Sequence, residues 1–264
     1  MSDVLIRSDD GAVTTLTLNR PAERNAINDE LREAFLAALD EVSADPAVRV
    51  VIVTGNGKSF CAGGDVRAMR ERLQAPAGQV AFDGWRRQQR TGVLAQALHS
   101  LGVVTIAAVN GHAIGLGLDL ALACDFVVAA PQASFAASFV KRGLIPDGGG
   151  LYYLPRRVGL QKAKELMYSG RSVDAAEAAR IGIADVLAAD GALLTDACAY
   201  AGQFTAQPRA SITLMKSIVN RTYELSLESV AALGSQAQAI CYTTEDHRAS
   251  VESFLAGSKE KGKP

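Results

Sequence analysis

Two short stretches hold the residue types that carbonyl chemistry needs. One is Ser59-Phe60-Cys61-Ala62-Gly63-Gly64-Asp65-Val66, and the other is Asn110-Gly111-His112-Ala113-Ile114-Gly115-Leu116-Gly117-Leu118-Asp119-Leu120. Each follows an apolar, β-branched run and sets glycines just before a helix-like segment. A turn into a helix leaves backbone N–H groups without intrahelical acceptors. Two such groups aimed at one point stabilise negative charge growing on a carbonyl oxygen, the arrangement called an oxyanion hole. Taken singly, each glycine pair is ordinary turn chemistry; it is the pairing of two such loops that points to a site.

Two carboxylates stand near these stretches. Asp119 lies between Leu118 and Leu120 on an apolar segment. A buried carboxylate is costly, so it is paired in the core, protonated, or facing a cavity. Asp147 follows Pro146 and precedes Gly148-Gly149-Gly150, where an Asp also serves as a helix N-cap. Cys61 adjoins the first glycine loop without a base nearby in sequence, and reads as loop packing rather than a nucleophile. His99, His112 and His247 are scattered and read as structural.

Several competing motifs fail on single positions. Gly55-Asn56-Gly57-Lys58-Ser59 imitates a phosphate-binding loop, but that pattern needs a glycine where the chain has Ile52. Gly115 and Gly117 imitate a dinucleotide fingerprint whose third glycine position is Leu120. Neither a GxSxG elbow nor HExxH occurs. The four cysteines, at 61, 124, 198 and 241, lack metal-ligand or CxxC spacing, so reduced thiols and no metal are expected.

The elements that must position these groups alternate. Residues 4–7 and 13–18 read as strands with a turn at Asp9-Asp10-Gly11, and Asn28 or Asp29 caps an amphipathic helix that ends near Ser43. Residues 48–54 and 103–109 are buried strands, and 66–101 is helical in two pieces broken around Pro76. A short helix over 115–123, a strand over 126–129, helices over 148–157, 160–169 and 175–181, and a strand over 184–187 follow. This alternation predicts an α/β layered core. From about residue 190 the strand pattern stops and helices follow over 193–207, 210–224, 227–240 and 245–255. The expected division is therefore 1–195 and 196–264, with a frayed tail from Gly257.

The 264 residues are 48% hydrophobic with a net charge of −1, which suits a soluble globular chain and gives no basic excess for nucleic acid. The start of the chain shows no secretory pattern, and the apolar run over 103–109 is too short for a bilayer. A cytoplasmic protein without membrane contact is expected.

The chain resembles the crotonase superfamily, the enoyl-CoA hydratase/isomerase family, over nearly its whole length. The resemblance rests on Asn19-Arg20-Pro21-Ala22-Glu23-Arg24-Asn25-Ala26-Ile27, on Phe60-Cys61-Ala62-Gly63-Gly64-Asp65, on residues 109–125, and on Gly143-Leu144-Ile145-Pro146-Asp147-Gly148-Gly149 with Leu154-Pro155-Arg156 and Val158-Gly159. It implies a spiral of repeated ββα units (residues 1–195, with the CoA site and oxyanion hole) and a helical C-terminal trimerisation region (196–264). It implies an acyl-CoA thioester as substrate, with coenzyme A part of the substrate and no tightly bound cofactor, and a homotrimer or a hexamer built as a dimer of trimers. The oxyanion donors would be the N–H groups of Gly64 and Leu116. Arg24, Ala26, Ile27, Ala62, Gly63, Asp65 and Val66 would lie along the CoA moiety, where Arg24 either meets a phosphate or is a solvated surface arginine.

The chain also departs from the family's hydratases. Their first water-handling glutamate falls at Asp119 and their second at Phe139, which cannot transfer a proton. Isomerase members similar to this chain carry an acid at the position of Asp147. The resemblance therefore implies Asp119 and Asp147 as a displaced acid/base pair and favours isomerisation over hydration of an enoyl-CoA. The alternative is a non-catalytic acyl-CoA-binding or scaffold protein of the same fold.

Overall fold

The computed structural model describes residues 3–261 and divides into two units, Met1–Thr205 and Ala206–Pro264. The first unit opens with a hairpin in which β1 (Leu5–Asp10) pairs antiparallel with β2 (Val13–Leu18). Helix α1 (Asp29–Ala44) follows, with the Asn28 side chain accepting from the Leu31 N–H at 2.9 Å. Leu31, Phe35, Ala38, Leu39 and Val42 recur at helical spacing and form its buried face. Strand β3 (Val50–Gly55) is buried at every position, as a central parallel strand covered on both faces must be. Helices α2 (Val66–Arg72) and α3 (Ala77–Ser100) are separated before Pro76, whose ring cannot continue a helix.

The chain continues through β4 (Val104–Val109), β5 (His112–Ile114), α4 (Leu116–Ala123), β6 (Phe126–Ala129) and β7 (Ser134–Ala136). After a 3-10 turn at Ser138–Arg142 come α5 (Gly150–Val158), α6 (Leu160–Ser169), β8 (Val173–Asp174), α7 (Ala175–Ile181), β9 (Val186–Leu187) and α8 (Leu193–Thr205). Six strands form one sheet in the order β1-β2-β3-β4-β6-β9, parallel from β2 onward, and β5-β7-β8 form a second.

This is a spiral. From β3 on, each turn places a strand in the large sheet, a short strand in the small one, and then a helix. β4, β5 and α4 make one such unit; β6, β7 and α5 make another. In the unit that starts with β3 the short strand shrinks to one bridge, Cys61 with Ala113 of β5. Strands β5 and β7 are absent from the sequence reading because three residues are too few to show a period-2 pattern.

The expected division at 195 is corrected to 205. Helix α8 packs on β3, β4 and β6 and buries Ala197 and Ala201, so it belongs to the first unit despite its helical composition. The second unit contains α9 (Arg209–Val219), α10 (Leu227–Cys241) and α11 (Glu245–Lys261), with α9 packed on α10. Where fraying was expected from Gly257, the helix continues to Lys261; residues 262–264 lie outside the described residues. Among the described residues no helix is long and apolar enough to cross a membrane.

Candidate active site

The spiral itself brings the two glycine loops together. Cys61 N–H donates to His112 O at 2.9 Å, and Ile114 N–H donates to Cys61 O at 3.0 Å. Three residues beyond Cys61 is Gly64, and three beyond its bridge partner Ala113 is Leu116. The two amides thus hold the same position in adjacent repeats. The loops are close enough to demand glycine. A Cβ on Gly117 would stand 2.1 Å from Cys61 O, and one on Gly63 would stand 2.8 Å from Ile114 O and 3.6 Å from Leu116 N. Gly63 also has φ +99°, which a side chain would strain.

Both amides are left unused by the fold. Ile27 N–H donates to Gly63 O at 2.8 Å and Asp65 N–H to Ile27 O at 3.1 Å. In such a parallel bridge the intervening Gly64 turns its own N–H to the other side. Leu116 is the first residue of α4, where an N–H has no intrahelical partner. Among the described residues neither Gly64 nor Leu116 donates its N–H to any acceptor. At Leu116 the positive end of the helix dipole adds to the field.

Gly64 and Leu116 line one cavity of 520 Å³, together with Gly115, Phe139 and Asp147. Asp147 is half-buried, and its Oδ1 is buried without a hydrogen-bond partner among the described residues. Burial pushes its pKa above the usual carboxylate range, opposed by its own backbone N–H and by the nearby Gln88 side-chain amide. The Phe139 ring lies 3.7 Å from where a Gly115 Cβ would stand, so it forms the wall beside Leu116.

Asp119 is paired in the core, one of the placements its sequence context left open, and does not stand on the cavity wall beside Asp147. It is 1% exposed and is not among the residues lining the cavity. Its Oδ2 accepts the Gly148 N–H at 3.0 Å, and the carboxyl also accepts the Gly150 N–H. Burial raises its pKa to about 8, the Gly148 N–H opposes this, and the neighbouring Asp147 charge adds to the rise. The two carboxyls therefore do not share the cavity wall. Asp147 faces the cavity, while Asp119 fastens the backbone just after Asp147 and the start of α5.

The residues expected along CoA are also sorted. Ala62, Gly63, Gly64 and Val66 line the cavity; Arg24 is exposed, with φ 53°, and is not among the lining residues. The Ala26 and Ile27 side chains are buried. The Asp65 side chain is committed elsewhere. It caps α2 by accepting from Arg67 N–H at 3.0 Å and pairs with Arg20 at 3.2 Å. Cys61 is fully buried and its thiol is pushed up to about 12, so it is no nucleophile at neutral pH.

Two organising residues escaped the sequence reading. Asn25 is buried with φ 56°, a conformation Asn tolerates better than most residues. Its side chain donates to Ser59 O at 2.7 Å and Asn56 O at 2.9 Å and accepts from Arg20 N–H at 2.8 Å, tying residues 20–27 to the first glycine loop. Its place before Ala26-Ile27 in the matched motif was the available signal. Gln88, a polar residue within a long helix, gave none.

The chain matches the family model described as enoyl-CoA hydratase/isomerase over residues 8–264. It is 34% identical over 256 residues to the 1,2-epoxyphenylacetyl-CoA isomerase of Escherichia coli, covering 97% of each chain. It is 33% identical over 248 residues to the crotonyl-CoA hydratase of Syntrophomonas wolfei, covering 94% of this chain and 93% of that one. Among solved structures, the enoyl-CoA hydratase/isomerase of Cupriavidus metallidurans superposes with a TM-score of 0.89 at 33% identity, covering 97% of this chain and 94% of that one.

Proposed function

Because this chain belongs to the enoyl-CoA hydratase/isomerase family, we propose that it shifts the carbon–carbon double bond of an enoyl-CoA, with Asp147 as the proton carrier. The carrying observation is the Asp147 carboxylate in the wall of the cavity, with one oxygen unpaired, beside the two unused amides of Gly64 and Leu116.

In this reading the thioester oxygen of a 3-enoyl-CoA accepts from both amides. Ionised Asp147 takes a proton from the α-carbon. The released pair of electrons moves toward the thioester oxygen, giving a dienolate whose charge the two N–H groups stabilise. The protonated Asp147 then returns the proton to the γ-carbon, and the double bond lies between the α- and β-carbons. No atom is gained or lost. One well-placed acid/base group supplies about 10²–10⁴-fold in rate, and loss of one oxyanion donor costs about 10²–10³-fold. A carboxyl raised by burial serves both transfers better than an ordinary one, since its conjugate acid is less reluctant to form. The acid limb of the rate profile is accordingly expected above the usual carboxylate range.

Asp119 is a positioning residue in this account. It holds Gly148 and Gly150, and with a pKa of about 8 it is largely neutral at pH 7, so it leaves Asp147 as the charged carboxyl. Hydration would need a second carboxylate to hold water, and Phe139 stands where the resemblance puts it; that supports isomerisation. The CoA moiety would run along Arg24 and residues 62–66. A homotrimer, alone or paired into a hexamer, is part of the same reading. It is supported by exposed apolar side chains such as Leu227, Ile240 and Phe254 in the second unit.

The test is turnover of 3-hexenoyl-CoA, followed by the absorbance of the conjugated product. Asp147→Asn is expected to lower kcat by about 10²–10⁴-fold with KM little changed. Unaltered kcat would remove Asp147 from the mechanism.

A further inference from the structure

The cavity beside Asp147 is not the purely apolar slot that a hydrocarbon chain would select. Four arginines, Arg70, Arg72, Arg87 and Arg142, line it, and Asp147 is the one acidic residue among its lining side chains. Arg72 and Arg87 are half-buried. Among the described residues none of the four side chains has a carboxylate or hydrogen-bond partner. Elsewhere the half-buried arginines have partners. Arg20 meets Asp65, Arg157 meets Asp185, and Arg171 meets Glu165 and Glu177. Half-buried guanidinium groups without counter-charges weaken the fold unless something else satisfies them.

Their placement relative to the chemistry is informative. Val80, Gly84, Arg87 and Gln88 are the α3 residues that line the cavity, and they recur at i, i+4, i+7 and i+8, one helix face. Gln88 on that face lines the cavity with Asp147, and Arg87 is the residue before it. Arg70 and Arg72 come from α2, immediately after the loop that carries Gly64. Gly84 lacks a side chain, and a Cβ there would meet nothing within 4 Å, so this face of α3 leaves open space on the cavity side at that position.

We infer that the acyl group carries an anion beyond the reacting carbons, a carboxylate at the far end of the chain, which Arg72 and Arg87 receive. The substrate class is then the CoA half-thioester of an unsaturated dicarboxylic acid. A guanidinium fork matches a carboxylate in two parallel hydrogen bonds, and the cationic wall raises the local concentration of an anionic substrate. The inference rests on the reading of the cavity as an acyl-CoA site, and goes beyond it in naming the acyl chemistry.

The experiment is calorimetric binding of hexanoyl-CoA and of the hexanedioic half-thioester of CoA, which differ only in the terminal methyl or carboxylate. The wild type is expected to bind the carboxylate form about tenfold tighter or more, the range of one hydrogen-bonded charge pair. In Arg72→Met/Arg87→Met the ratio of the two affinities is expected to fall toward one. Equal binding of both ligands by the wild type overturns the inference, and this arm needs no variant. A preference that survives the double substitution overturns it too, as does an equal loss for both ligands, which would assign the arginines to the CoA phosphates. Binding of both thioesters by a protein that leaves 3-hexenoyl-CoA unconverted would instead strike at the proposed reaction and leave the inference to be decided by the affinity ratio.

Discussion

At the scale of the residue, two carboxyls that are close in the fold differ in their surroundings. Asp147 has an unpaired oxygen in the cavity wall, whereas the Asp119 carboxyl is held by the backbone amides of Gly148 and Gly150. The sequence showed both as chemically suspicious, because an Asp amid leucines and an Asp before three glycines each invite explanation. It did not show which one faces the cavity, since that depends on the path of residues 143–150 over α4. The Asp119 environment has a consequence for stability. Its folded pKa, about 8, lies above the ordinary value, so between those values the folded state holds a proton that the unfolded state has lost. Stability is therefore expected to fall as pH rises through that window. Urea unfolding from about pH 5 to about pH 9 should show this slope in the wild type and a flatter one in Asp119→Asn. The variant should also lose about 1–3 kcal/mol because an amide nitrogen cannot accept one of the two N–H groups. An unchanged slope would mean that Asp119 is ionised in the fold.

At the scale of the element, the reacting geometry follows from repetition. Two successive ββα units present the same position, three residues past a shared bridge, as Gly64 and Leu116. The long elements were legible. Asn28 capped α1 as its residue type demands, β3 and β4 were unbroken apolar runs, and Pro76 divided the helical stretch. The short ones were not. β5 is three residues, and its importance lies in a pairing with Cys61 that sequence distance conceals. The helical pattern of α8 says nothing of what it packs on, so composition groups it with the helices that follow while its contacts are with β3, β4 and β6. The repeat depends on a contact that only glycine permits. Gly117→Ala puts a Cβ 2.1 Å from Cys61 O and must push the two loops apart. The expected result is a loss of about 1–3 kcal/mol in stability and a fall in kcat of about tenfold or more, with Asp147 untouched. Wild-type kcat in a destabilised Gly117→Ala would show that the spacing of the two amides is not what sets the rate.

At the scale of the whole molecule, the division falls between a spiral that carries every proposed reacting group and a helical unit that carries none. In the second unit Leu227 is 85% exposed and Phe254 75%, a burden for a free surface. Sedimentation equilibrium is expected to return a trimer or a multiple of three, the association closing over such side chains; a stable monomer would contradict that part of the account. The most direct test of the central claim is the fate of 3-hexenoyl-CoA in deuterated water, followed by NMR with the wild type. The account predicts conversion to 2-hexenoyl-CoA, with hydrogen or deuterium delivered to the γ-carbon and no hydroxyl gained. Accumulation of a 3-hydroxyacyl-CoA instead, or an untouched α-carbon, would contradict it.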